Sequence, residues 1–452
     1  MKILVKDKNF YRSLAALAIP ICIQQFITYG VTLADNVMVG QLGERAIGGL
    51  YIGTVVHIVL MNILFGVTQG ATVLTAQYWG VRDRESIRDI AAMAFRGAVA
   101  IGGIFAMAAL LAPERVAGLV TDDPEVMATG AAYLRVVAPS YLLFAVSQTL
   151  LMILRTVEVV AIGVVNAVVA LALNVLLNWV FIYGHWGSPA MGAPGAALAT
   201  LAARAVELGI VAGYALFADK AISLRPRDVL RRNTALLRDL VRYGTPLMLG
   251  QVTWAVNQFA RGWFVGHMEQ PGIAAASIAE TIDGFVWMFP LGVAIACGIL
   301  TGKTIGQGRF EDMKVQARTM QLVFVCIGLW TALLLWQARG AVVGLYGLRP
   351  ETEPVARAFL TVITATAAAR CYQAPSLMGL VKAGGDTAFV FVNDTFWVFC
   401  WILPAAFVAQ RVLGLPDWVV FAILLSDQVT KCFVAAVKIN RFRWMRKLVV
   451  ER

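Results

Sequence analysis

The sequence predicts an all-α integral membrane protein whose twelve transmembrane helices form two related six-helix lobes. Three observations carry this reading. Of 452 residues, 59% are hydrophobic and only 14% charged, against about a quarter charged in soluble domains, and the mean hydropathy is +0.73. Apolar stretches of about twenty residues, long enough to cross a bilayer, recur along the whole chain between short polar loops. The second half of the chain repeats the first.

The opening "MKILVKDKNFYR" is charged. The apolar run after it is too long for a cleavable signal and lacks a small-residue cleavage site, so the first helix is expected to persist. That span covers 14–39 and stops at "GQLG"; the second, 47–78, stops before the charged "VRDRESIRD". Spans three and four, 90–112 and 127–153, flank "PERVAGLVTDDPE". The fifth, 160–183, closes on Gly184, and the sixth, 195–217, follows "GAPG". After a basic stretch come 244–267, 273–302, 317–338, 356–381, 387–410 and 417–437. The N-lobe is therefore 1–217, the inter-lobe linker 218–243 and the C-lobe 244–452.

Charge sets the expected orientation. With both termini cytoplasmic, the outer loops hold only Arg45, Arg115, Arg339, Arg349 and Arg411 of the 38 basic residues. The linker and the tail "KINRFRWMRKLVVER" are rich in them, as the positive-inside rule requires. The net charge of +11 thus reports topology and points to anionic headgroups as neighbours, not to nucleic acid. The six cysteines all fall inside spans without C-x-x-C spacing, which reads as packing.

Shifted by 226 residues, 20–91 aligns without gaps on 246–317 with fourteen of 72 positions identical, among them Pro20/Pro246, Gln25/Gln251, Gly66/Gly292 and Glu85/Glu311. An even number of spans separates the halves, so they share one orientation. Parallel repeats of this kind are a transporter architecture. The charges differ between halves: Asp35 aligns with Arg261, Thr54 with Glu280 and His57 with Asp283.

Asp35 stands about twenty residues into an apolar span, where an ionised carboxylate costs several kcal/mol if it faces lipid. Near the outer interface headgroups would solvate it; in the interior it would bind a proton or cation. Asn36 lies beside it and Gln24 and Gln25 below, while Pro20 withdraws a backbone donor and lets the helix bend. Asn166, Asn174 and Asn178 share about one face of the fifth span, suited to interhelical hydrogen bonds or to a site. Glu280 and Asp283 sit at i, i+3 before Pro290. They either neutralise Arg261 or form a second cation or proton site, and a mixed role is expected, with Asp283 the more functional member. Asp394 and Asp427 are further acids, and Glu207 reads as an ion-pair partner of Arg204. "GILTGKT" is one residue short of a phosphate-binding loop and ends a span, not a strand. No catalytic triad or metal-ligand spacing appears, so neither an enzyme nor a cofactor is expected.

These residues resemble the multidrug and toxic compound extrusion (MATE) family. "ADNVMVGQLG" is similar to its Asp-x-x-Met-x-Gly pattern, and "AQYWGVRDRESIRD", "GAPGAALATLAAR" and "GLVKAGGDT" to recurring family segments. The resemblance implies two six-helix lobes in a V and proton- or sodium-coupled export of small amphipathic, cationic drugs. It places Asp35 on the family's first-span acid, Pro20 on its bending proline, and Asn174, Asn178 and Thr200 on the polar cluster of the DinF-type branch. Asn178 stands where that branch has a second aspartate, and the NorM-type acids of spans seven and ten are missing. Cavity residues would be Tyr29, Asn36, Gln25, Trp179, Gln251, Trp254, Asn257, Arg261 and Trp287. The expected protein is a monomer in a bacterial or archaeal plasma (inner) membrane. The alternative is a flippase for a lipid-linked precursor, which Arg261 and Arg370 would suit.

Overall fold

The computed structural model describes residues 4–42 and 44–449. Gly43, which closes "ADNVMVGQLG", and the chain ends, on which the expected topology bears, lie outside the described residues. Among the described residues there is no strand, and twelve long helical segments follow one another. They are α1 (Lys8–Gly40), α2 (Glu44–Gly80), α3 (Arg84–Leu111), α4 (Pro124–Thr156), α5 (Ala161–Tyr183) and α6 (Ala193–Ala218). Then come α7 (Thr234–Gly266), α8 (Gln270–Gly306), α9 (Phe310–Leu345), α10 (Thr352–Ala374, extended by a π-helical turn Pro375–Val381), α11 (Thr387–Val412) and α12 (Asp417–Asn440).

Local sequence accounts for the helix ends. Asp83 caps α3 by accepting from the Ser86 backbone N–H at 3.0 Å. Asp123 caps α4 through the N–H groups of Glu125 and Val126, with Pro124 at the first turn, where no donor is needed. Gly184, at φ +77°, ends α5 in the left-handed conformation that glycine adopts without strain. Ten of the twelve helices are long and apolar enough to cross a membrane; α7 and α10 are not among them. Twelve apolar spans were expected, and the shortfall has a plain cause. α7 carries Gln251, Asn257, Gln258 and Arg261, and α10 carries Arg357, Arg370 and several threonines.

The duplication is visible in the helix bounds. Adding 226 to the ends of α1 (8 and 40) gives those of α7 (234 and 266), and α2 (44 and 80) maps likewise onto α8 (270 and 306). Contacts divide the chain into two compact units, 23–248 and 1–22 with 249–452. The divisions fall inside α1 and α7, each two residues past a proline, Pro20 or Pro246. Each unit has its own apolar core: Leu60, Leu134, Tyr141 and Ala197 in the first, Phe359, Ile402, Val420 and Phe421 in the second.

Small residues let the helices approach. A Cβ on Gly102 of α3 would come within 2.8 Å of the Ala145 side chain and 3.0 Å of the Leu142 backbone of α4, whereas one on Gly103 would meet nothing within 4 Å. Gly102→Leu is therefore expected to destabilise the protein by roughly 1–3 kcal/mol or more, and Gly103→Leu to be near neutral. Melting temperatures of the two variants in detergent check this; equal effects would remove the packing explanation.

The basic stretch 218–243 is anchored to the first unit. Arg88 Nε donates to the Ile222 carbonyl at 2.9 Å, and Asp89 accepts from Arg231 Nε at 2.7 Å and Asn233 Nδ2 at 3.0 Å. Asp219 accepts from the backbone of Ala221, Ile222 and Ser223. From Thr234 onward the stretch is the first part of α7.

Candidate functional site

Within the first unit, α5 presents Asn174 and Asn178 one helical turn apart, which puts both on one face. Both are buried, at 1% and 0% exposure. Asn178 Nδ2 donates to Asp35 Oδ1 at 2.6 Å and lies 3.2 Å from Asn174 Oδ1. The end of α1 is held against α5 by the Tyr183 hydroxyl, 3.0 Å from the Met38 carbonyl and 2.8 Å from Gln41 Oε1. Asn166, two turns earlier on the same helix, is buried with its Oδ1 unpartnered.

Two further helices supply the surroundings. Buried Tyr133 of α4 lies in electrostatic reach of Asp35, with Thr200 of α6 beside it. Its ring packs where a Gly53 side chain would be. Arg204, one turn beyond Thr200, is also in electrostatic reach of Asp35, but its Nη1 is bonded to Glu207 Oε2 at 2.7 Å. The same guanidinium lies 4.8 Å from the Phe144 ring, and His57 packs edge-on to that ring at 4.5 Å. The direct partner of the Asp35 carboxylate is therefore the neutral amide of Asn178. Such a carboxylate can take up or release a cation without breaking an ion pair.

The second unit contrasts with this. Buried Arg370 is paired with Asp283 Oδ1. Arg261 Nη1 is 3.9 Å from Asp283 Oδ2, and its Nε is 3.4 Å from Glu280 Oε1. Both guanidiniums lie near aromatic rings, Arg261 5.3 Å from Phe421 and Arg370 5.8 Å from Trp287. Asp283 is thus held by two cations, whereas Glu280 is nearly half exposed. The other two acids, Asp394 and Asp427, each lie 2.9 Å from Lys431 Nζ. Among the described residues no group of three His, Cys, Asp or Glu side chains could hold a metal ion.

The residues expected to line a cavity fall on both units. Gln25, Tyr29, Asn36 and Trp179 belong to the first, and Trp179 stacks on His185 at 3.8 Å. Gln251, Trp254, Asn257, Arg261 and Trp287 belong to the second, where Asn257 Oδ1 is buried without a partner. Pro20 lies within an unbroken α1. Sequence reasoning passed over Tyr133, which has no charge and sits in an apolar run. It noticed Arg204 and Glu207 only as a local pair, because their distance to Asp35 is set by helix packing. The i, i+3 spacing does foretell the bond between them.

The family model for MatE matches residues 20–180 and 246–403. The chain belongs to the MatE family. The two matched segments begin at Pro20 and Pro246, the same prolines at which the internal repeat starts. Among solved structures, the MatE chain is similar to an outward-facing multidrug resistance MATE family transporter of the MOP superfamily, at 18% identity and TM-score 0.87, covering 97% of this chain and 99% of that one. A MOP superfamily transporter from Pyrococcus furiosus, described as having a binding pocket of reverse polarity, matches at 20% identity and TM-score 0.83 over 97% and 99% of the two chains. The Vibrio cholerae MATE transporter VcmN in the bent form matches at 16% identity and TM-score 0.84 over 96% and 97%. Together these give a multi-pass membrane protein with the MATE transporter fold.

Proposed function

We propose that this chain is a cation-coupled secondary antiporter that exports small amphipathic, cationic organic molecules by alternating access. Proton or sodium is the coupling ion, and Asp35 is the carboxylate that binds it. The observation that carries the reading is the contact of Asp35 with neutral Asn178, whose amide also reaches Asn174, while the nearby Arg204 is bonded to Glu207. A carboxylate so placed inside a span exchanges its ion at low cost, whereas one bridging two guanidiniums, like Asp283, does not. Thr200, on α6 near Tyr133, completes the polar surroundings of the site, and Pro20 supplies the bend of α1. VcmN has been solved in a bent form, which suits that role. Glu280, with its exposed carboxylate, is the more available of the two second-unit acids for a further ion. The site is that of a monomer in a bacterial or archaeal plasma membrane, with both termini cytoplasmic.

Proteoliposomes under imposed pH or sodium gradients, with ethidium as the substrate, test the proposal. Accumulation that follows one of the gradients and collapses when it is dissipated is expected. Transport that needs ATP, or proceeds equally without any gradient, would refute it. A second reading, the flipping of a lipid-linked precursor, is favoured by buried Arg261 and Arg370. Phosphate-bearing lipid crossing vesicles independently of the gradients would select it.

A further inference from the structure

Arg261 occupies the position that the repeat assigns to Asp35 in the first half, so the two halves carry opposite charge at equivalent repeat positions. Its side chain is nine-tenths buried, yet its Nε and Nη2 have no hydrogen-bond partner, and neither does Nε of Arg370. Buried N–H groups of a cation are normally satisfied, because leaving them bare forfeits solvation without a replacement. Each arginine approaches Asp283, so two buried guanidiniums share one mostly buried carboxylate. The remaining counter-charge, Glu280, is nearly half exposed and lies 3.4 Å from Arg261 Nε outside hydrogen-bond geometry.

We propose that Arg261 and Arg370 form a receptor for an oxyanion on the transported molecule, a carboxylate or phosphate ester, that displaces Glu280. The inference rests on the transporter reading and adds to it a preference, among cationic substrates, for amphipaths that also carry an anionic group. The exchange is favourable in physical terms. Glu280, already nearly half exposed, gives up only a 3.4 Å contact outside hydrogen-bond geometry. The incoming oxyanion meets the free edge of a planar guanidinium, where two parallel charge-assisted hydrogen bonds can form. Phe421 and Trp287 lie beside the guanidiniums, and low-dielectric surroundings of that kind strengthen such bonds.

Rhodamine 110, which bears a free carboxylate, and rhodamine 123, its methyl ester, test this by fluorescence polarisation on the purified protein. Wild type is expected to prefer the acid, and the charge-balanced variant Arg261→Gln/Glu280→Gln to lose about tenfold of that preference. An unchanged preference, or none in wild type, would overturn the proposal. If the variant does not fold, wild type alone decides: benzoate should compete with rhodamine 110 and not with rhodamine 123, and indifference of both dyes to benzoate refutes the receptor. A rise in melting temperature on adding phosphatidylglycerol, with no preference between the dyes, would assign the pair to lipid headgroups and overturn the substrate reading. Binding needs no gradient, so these outcomes are separate from those of the ethidium experiment.

Discussion

Asp35→Asn is expected to abolish gradient-driven export while leaving the protein folded and inserted. Asparagine has the shape of the acid, and its carbonyl can still accept from Asn178 Nδ2, the 2.6 Å contact that holds the carboxylate. What it lacks is the ability to alternate between a charged and a neutral form. Removing an ionisable group from a span costs no stability by itself, since the charged form is the one that membrane depth disfavours. Ethidium export under an imposed gradient should fall to the level of empty vesicles, with the melting temperature of the wild type retained. Export at the normal rate by this variant would take Asp35 out of the mechanism.

Asp283→Ala should instead strike at folding. The carboxylate is bonded to Arg370 and lies 3.9 Å from Arg261, and both arginines are buried. Deleting it strands Arg370 and leaves Arg261 only the half-exposed Glu280, and losing one partner of a buried pair costs ~3–5 kcal/mol. Because Arg370 makes the direct bond, the informative double-mutant cycle joins Asp283→Asn with Arg370→Gln. The double variant should recover part of the loss of either single one, whereas a coupling energy near zero would reject the ion-pair explanation. An ion-binding role predicts a different pattern: Glu280→Gln and Asp283→Asn would melt normally and transport without dependence on the coupling ion.

The contrast between these two acids shows where the sequence is informative. Helices could be read from apolar runs because crossing a bilayer leaves its demand on every residue of the run. The same rule under-reports α7 and α10, whose glutamines, arginines and threonines lower their apolarity. The facing of Asn174 and Asn178 follows from helical spacing alone. Tyr133 could not be found that way, since its approach to Asp35 depends on how α4 packs. The repeat pointed to Arg261 as the partner of Asp283; Arg370, 87 residues further on, became its direct partner through tertiary packing.

The division of the chain two residues past Pro20 and Pro246 bears on biosynthesis. The unit 23–248 is one continuous stretch and is complete when Met248 has been made. The other unit joins the first 22 residues to everything after 248. Val5 N–H donates to Thr319 Oγ1, and the Cys22 thiol reaches the Phe289 carbonyl, across 314 and 267 residues. Closing loops of that length is slow and comes late in assembly. The ribosome therefore delivers the opening of α1 long before its partners exist, and that segment must wait in the bilayer while the first unit forms behind it.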